Sequence, residues 1–126
     1  MQDVSIVLQE AQALVRKGWC RGAMARDSVG DAVPYLSDEA VAFCVVGALE
    51  KVLLGVDKDS SPGQPSLYMR LRSQAVRALT SVTGLSPATF NDTHGRTQKE
   101  ILQLFSQALE IVDCEAQQVW PPCTSI

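Results

Sequence analysis

The chain of 126 residues is 46% hydrophobic and 20% charged, a composition that excludes a disordered or fibrous protein. Its formal net charge of −3 and its aromatic content of 6% argue against nucleic-acid binding through bulk positive charge or base stacking. No stretch is long enough for a membrane-spanning helix, and the first residues lack a signal-peptide pattern, so we expect a cytoplasmic protein without membrane attachment.

The first predicted element is a helix that begins after Asp3 and ends at Gly18. An aspartate is a good N-cap, and a glycine is typical of the end of a helix. Between these two residues the apolar side chains recur with the 3.6-residue period of a helix that buries one face: Val4, Val7, Leu8, Ala11, Leu14 and Val15.

The most apolar stretch lies between Ser37 and Gly55, and it predicts the central helix of the fold. Ser37 is a suitable N-cap and Gly55 a suitable C-terminal glycine. From Ala40 to Leu49 the sequence is apolar without interruption, so a helix here would be buried on every side. Gly47 in mid-helix costs about 1 kcal/mol against alanine. We therefore interpret it as a point of close helix packing, with the wall of a ligand pocket as the alternative.

A polar segment at residues 56–64 predicts a loop before the third long helix. This helix begins with Pro65 as a first-turn proline and ends at Gly84. Its three arginines, at positions 70, 72 and 77, form either a basic surface or an ordinary solvated face. A compact connection at residues 85–95 follows the helix.

The last helix is predicted to begin at Thr97, because Thr97 and Glu100 fit the S/T-x-x-E capping box. Its apolar pattern decays after Asp113. Together the elements predict an all-α fold, a compact bundle of four main helices plus one or two short helices around a buried central helix. Residues 1–113 would form this single domain and residues 114–126 a C-terminal tail.

The four cysteines show no pattern of a metal or disulfide site. Cys20, Cys44, Cys114 and Cys123 contain no C-x-x-C pair. We therefore expect four free thiols, no structural zinc, no other bound metal and no cofactor.

Three short motifs follow one another along the chain: Trp19-Cys20-x-Gly22-Ala23 with Asp27, then Phe43-Cys44-x-x-Gly47-Ala48-Leu49, then Asn91-Asp92 followed by Gly95-Arg96-Thr97. In this order they resemble an uncharacterised family of small bacterial and phage proteins, a domain of unknown function, over roughly Leu8 to Leu109. Phe90 stands where members of that family often have tryptophan. The resemblance implies that the three motifs belong to one domain, and it implies no activity.

The segment from Asn91 to Thr97 is the best candidate for a ligand site. It leads into a helix N-terminus, which attracts anions, and Arg96 offers a two-pronged donor for phosphate or carboxylate. His94 is the single histidine of the chain. The alternative is structural: Asn91 and Asp92 make turn hydrogen bonds, Thr97 caps the helix, and Arg96 pairs with Asp92 or Asp27. The candidate ligand-binding residues are Trp19, Cys20, Asp27, Asn91, Asp92, His94, Arg96 and Thr97.

A cysteine enzyme is a further hypothesis. Cys20 or Cys44 would need a base such as His94 and a partly exposed thiolate. Cys44 lies in an apolar run, where burial makes a thiol inert, and nothing in the sequence sets a distance between Cys20 and His94.

The function that we expect from the sequence is therefore binding without catalysis. The chain would be a phage or bacterial accessory factor that modulates a host or defence protein through protein–protein contact, by analogy with the resembled family. The alternative is a protein that binds a small molecule or a nucleotide phosphate with the Asn91–Thr97 segment.

Overall fold

The computed structural model describes residues 3–116 of the chain. Within this range it contains five helices and three two-residue strands. In chain order they are α1 (Val4–Lys17), β1 (Ala25–Arg26), β2 (Ala32–Val33), β3 (Ala42–Phe43), α2 (Val45–Val52), α3 (Leu67–Thr83), α4 (Pro87–Asp92) and α5 (Gln98–Ala116).

Helix α1 is the element around which the others pack. Asp3 caps it as predicted, since its Oδ1 accepts from the amides of Ser5 and Ile6 at 2.9 and 3.2 Å. The helix packs against α5, α2, α3 and β3. It ends at Gly18, where a Cβ atom would lie 2.3 Å from the carbonyl oxygen of Val41. Only glycine therefore fits at this position, because the chain that leaves α1 lies directly against the backbone that leads into β3.

The predicted central helix is wrong over its first half. The chain turns at Ser37, whose Oγ accepts from the amide of Glu39 at 3.1 Å, and then forms β3. The helix begins only after Cys44 and ends at Val52, so that Gly55 lies beyond it. A short apolar run fits a buried strand as well as a buried helix, and pairing with β1 decides between them here. The resulting α2 has only eight residues and lies against α1, β3 and α4.

The three strands form a small antiparallel sheet in the order β2-β1-β3, so the fold is mainly helical but not strictly all-α. Ala25 of β1 pairs with Val33 on one side and with Phe43 on the other. The turn between β1 and β2 is built by Asp27, whose Oδ1 accepts from the amides of Val29 and Asp31 at 3.1 and 2.9 Å.

Gly47 is a point of close packing, although its neighbour is not a helix. A Cβ atom at this position would lie 2.0 Å from the carbonyl oxygen of Met24. The same carbonyl accepts from the amide of Cys44 at 3.1 Å. The missing side chain therefore lets the first turn of α2 lie directly against the backbone that enters β1.

The remaining helices follow the predicted pattern with shifted starts. Helix α3 begins after Ser66, whose Oγ accepts from the amide of Met69 at 3.0 Å, so Pro65 precedes the cap and is not the first helical residue. Gly84 ends α3 with a φ of 80°, a left-handed conformation that favours glycine. The predicted connection at residues 85–95 contains α4 as a short helix.

Helix α5 runs to Ala116, three residues beyond the predicted end at Asp113. The rest of the predicted tail lies outside the described residues, and the division into a domain and a tail stays a prediction. The core lies between α1, α2, α3 and α5. Its largest fully buried side chains are Phe105, Leu8, Leu49, Leu53, Leu79, Ile101 and Leu104.

Candidate functional site

Helix α4 places Asn91 in the interior of the protein. Ser86 caps the helix by accepting from the amide of Thr89 at 3.2 Å, and Pro87 occupies the first turn. Phe90 and Pro87 are buried, and Asn91 is 0% exposed. A fully buried amide side chain must have hydrogen-bond partners to be tolerated.

Asn91 uses both its acceptor and its donor for contacts with distant parts of the chain. Its Oδ1 accepts from Trp19 Nε1 at 2.8 Å and from the amide of Val45 at 3.1 Å. Its Nδ2 donates to the carbonyl of Cys20 at 3.2 Å and to Asp92 Oδ1 at 3.0 Å. We call Trp19, Cys20, Val45, Asn91 and Asp92 the Asn91 network. It joins the three motifs on which the family resemblance depends.

Asp92 extends the network to the loop that follows α1. Its Oδ1 also accepts from the amide of Gly22 at 3.1 Å, and Arg21 Nη1 donates to the carbonyl of Thr93 at 3.2 Å. Two hydrogen bonds thus hold the 21–22 loop against the end of α4. Of the predicted site residues, Trp19, Cys20, Asn91 and Asp92 are brought together here.

The two buried cysteines, one within this network and one next to it, are poor nucleophiles. Trp19 and Phe43 form a parallel bridge, so Cys20 and Cys44 occupy neighbouring positions of adjacent segments. Burial raises the pKa of Cys20 to about 11, and the nearby Cys44 and Asp92 add to this effect against the influence of Arg26. Burial also raises the pKa of Cys44. Both thiols therefore stay protonated at neutral pH, which disfavours thiolate chemistry.

Cys44 has a structural function as the N-cap of α2. Its Sγ accepts from the amide of Gly47 at 3.2 Å, in the manner of a serine or aspartate cap. Cys20 donates weakly to the carbonyl of Ala23 at 3.4 Å. Cys20 and Cys44 are free thiols, but Cys114 is disulfide-bonded. The expectation of four free thiols is therefore wrong, because the absence of a regular spacing in the sequence does not exclude a single disulfide.

Arg96 is engaged within the fold, and its partners differ from the predicted ones. Its Nε donates to the carbonyl of Phe90 at 2.9 Å, at the end of α4. Its guanidinium carbon lies 3.6 Å from the centre of the Phe90 ring, a cation–π contact. Its Nη1 pairs with Glu100 Oε2 at 3.2 Å, and not with Asp92 or Asp27 as the structural alternative proposed.

Thr97 caps α5 as the sequence predicts. The amide of Glu100 donates to Thr97 Oγ1 at 3.3 Å, and the amide of Thr97 donates to Glu100 Oε1 at 2.9 Å. These two bonds form the capping box. The hydrogen bond from the Thr97 amide, followed by the Thr97 hydroxyl and Arg96, lowers the pKa of Glu100.

Two further predicted site residues, like Arg96 and Thr97, lie outside the Asn91 network. Asp27 makes the hydrogen bonds of the β1–β2 turn. His94 is exposed in the connection between α4 and α5. In the described part of the chain, no hydrogen bond links His94 to Cys20 or Cys44. The cysteine–histidine pair required for a cysteine enzyme is therefore not assembled in this structure.

Two surface features were not found from the sequence. A cleft of about 420 Å³ lies between the start of α1, the second half of α3 and the end of α5, and Val4, Ala78 and Val112 contribute to its lining. A shallower groove runs along the outer face of α3. The signal for that groove was present in the sequence, since Met69, Val76 and Thr80 recur with helical spacing on a different face of α3 from the buried Leu71, Ala75 and Leu79.

Within residues 3–116, no three His, Cys, Asp or Glu side chains are grouped so that they could hold a metal ion. No helix in that range is long and apolar enough to cross a membrane.

Comparison with known proteins gives one match. No curated protein and no solved structure matches the chain. The model of a family of unknown function, DUF6197, matches residues 1–110, which contain all three motifs and the whole Asn91 network. The chain therefore belongs to the DUF6197 family.

Proposed function

We propose that this protein acts by binding another protein and not by catalysis. The observation that carries the proposal is the distribution of its exposed apolar side chains. Of the seven large hydrophobic residues that are exposed in the described range, four lie between positions 24 and 41. We call these four residues, Met24, Val29, Leu36 and Val41, the hairpin surface.

The small sheet holds the hairpin surface in place. Met24 immediately precedes β1, and Leu36 follows β2 by three residues, so the antiparallel pairing brings both to one end of the sheet. Val29 and Val41 lie at the other end, where the amide of Val41 donates to the carbonyl of Arg26 at 2.9 Å. Val29 is 78% exposed and Leu36 is 56% exposed. Exposed apolar side chains that one small sheet holds in fixed positions favour burial against a partner.

The internal contacts of the Asn91–Thr97 segment support the proposal that the protein binds its partner through a different surface. Asn91 is completely buried, and Arg96 already pairs with Glu100. Two of the five N–H donors of Arg96 already bond to the carbonyl of Phe90 and to Glu100, so a phosphate would compete with that carboxylate for the guanidinium. These contacts favour a structural function for the segment.

The identity of the partner is part of the same proposal. The motif resemblance supports a phage or bacterial accessory factor that contacts a host or defence protein, by analogy only. Cytoplasm is the proposed compartment. The disulfide at Cys114 counts against it, because thiols usually stay reduced there.

The experiment that tests the proposal places a photo-crosslinking amino acid at Val29 of the full chain in its native cells. The matched control carries the same amino acid at Gln107, which is exposed on α5. We expect discrete covalent adducts from position 29 and none of the same mass from position 107. The absence of adducts, or the same adducts from both positions, would contradict binding through the hairpin surface.

A further inference from the structure

Charge is distributed unevenly over the surface of this acidic protein. Helix α3 contains Arg70, Arg72 and Arg77 and no carboxylate in its 17 residues. Residues 27–39 contain Asp27, Asp31, Asp38 and Glu39 and no Lys, Arg or His. We call residues 27–39 the acidic segment, and it overlaps the hairpin surface. Opposite charge on two surfaces of a molecule gives each surface a complementary partner in a second copy.

The outer face of α3 combines its positive charge with apolar side chains. The groove along this face is formed by Met69, Arg72, Val76, Arg77 and Thr80, among others, and we call these five residues the α3 groove. Met69 is 55% exposed, and Val76 is half-buried beneath the rim. An apolar floor with a cationic rim is suited to a partner with apolar side chains bordered by carboxylates.

Most of the charge on the two surfaces is unpaired within the chain. Arg72 pairs with Glu50 at 3.0 Å. In the described part of the chain, no carboxylate pairs with Arg70 or Arg77, and no cation pairs with Asp31 or Asp38. All four of these side chains are exposed. They therefore remain available for an intermolecular contact.

Within residues 3–116, no ion pair joins the acidic segment to α3 of the same molecule. The sheet packs chiefly against α1 and α2, whereas α3 packs against α5, α1 and α4. We propose that the α3 groove receives the hairpin surface of a second copy of this chain. This inference rests on the proposed function, from which it takes the binding surface, and it names a second copy of the chain, and not a host or defence protein, as the occupant of that surface.

In this contact, Val29 of one copy packs on the apolar floor between Met69 and Val76 of the other copy. Val29 is the most exposed of the large apolar residues. The acidic segment of the first copy lies along the arginines of the second. If two copies are related by a two-fold axis, the same contact forms twice. That doubles the buried area, which a small contact needs to reach the roughly 1,200 Å² of a stable interface.

The test measures the mass of the full chain in solution by sedimentation equilibrium, up to about 1 mM protein. We expect a dimer that weakens as salt is raised from about 0.05 to 0.5 M, because the contact is partly electrostatic. One variant reverses the basic face (Arg70→Glu with Arg77→Glu) and another reverses the acidic segment (Asp31→Arg with Asp38→Arg). Each variant alone should dissociate at least about tenfold more readily, because like charges then face each other in both contacts.

An equimolar mixture of the two variants should associate again, since a reversed groove then meets a reversed segment and the native pair remains at the other contact. Recovery in the mixture also shows that both variants are folded. A wild-type chain that stays monomeric, reversals without effect, or a mixture that stays monomeric would each overturn the inference. A monomeric wild type whose position 29 still cross-links to a different protein overturns the second copy and leaves the proposed function standing.

Discussion

The indole Nε1 of Trp19 donates to Oδ1 of Asn91 at 2.8 Å, across 72 positions of sequence. The same oxygen accepts from the first amide of α2, so one atom connects the end of α1, the start of α2 and the end of α4. The three motifs that contain these residues therefore have a structural reason to lie together in one domain of this chain. The network is a part of the scaffold that holds the hairpin surface in place.

Replacing Asn91 by alanine should lower the free energy of unfolding by about 3–5 kcal/mol, because it leaves several buried groups without partners. Trp19→Phe removes only one of these hydrogen bonds and should cost about 1–2 kcal/mol. Urea unfolding followed by circular dichroism measures both. If the two variants lose similar small amounts, the network does not stabilise the fold as we describe.

Gly47→Ala should destabilise the protein by about 1–3 kcal/mol, although alanine is the better helix former. The added methyl group would collide with the carbonyl oxygen of Met24. The matched control is Gly55→Ala, because nothing lies within 4 Å of a Cβ atom there. The control should be neutral or slightly stabilising. Thermal melts that rank the two variants in the opposite order would exclude close packing at Gly47.

Arg96→Ala should lower the free energy of unfolding by about 1–2 kcal/mol, since it removes the bond to Phe90, the ring contact and the Glu100 pair. Thr97→Ala should cost about 1 kcal/mol as the loss of a helix cap. We expect millimolar phosphate to leave the melting midpoint of all three proteins unchanged. A phosphate-dependent rise in the wild type that disappears in Arg96→Ala would instead identify an anion site.

Alkaline pH should destabilise the folded state through Cys20. Burial raises its pKa in the folded protein to about 11, above the usual value of 9.0 for a cysteine thiol. The neutral thiol is thus favoured by folding, and the stability that it contributes is complete below pH 9 and is lost as the pH rises through 11. Unfolding of Cys20→Ala under reducing conditions should depend less on pH in this window than unfolding of the wild type. Parallel pH profiles for the two proteins would be the contrary result.

The long helices could be predicted from the sequence because their signals are local. Asp3, Gly84 and the Thr97–Glu100 box mark ends that the structure reproduces, since a cap depends on residues within one turn. The sheet could not be predicted. Each strand has two residues, and their conformation is decided by pairing between segments that are distant in sequence.

Four of the eight residues that the sequence predicts as a site meet in the Asn91 network: Trp19, Cys20, Asn91 and Asp92. Asparagine is a common turn residue, and nothing in the neighbouring sequence indicates that Asn91 is fully buried. The sequence predicts Asp92 or Asp27 as the partner of Arg96, but the partner is Glu100, four residues further along the chain. Asp27 was not available, because its carboxylate is used in its own turn.

The hydrogen bond between Val45 and Asn91 also has a consequence for the exchange of amide protons with solvent. The first amides of a helix have no partner within that helix and usually exchange quickly. The amide of Val45 is the first of α2, yet it is buried and hydrogen-bonded to a side chain of α4. Its proton is therefore expected to exchange only when α4 separates from α2. Slow exchange of this one amide proton, measured by NMR, would then show that α4 is packed against α2.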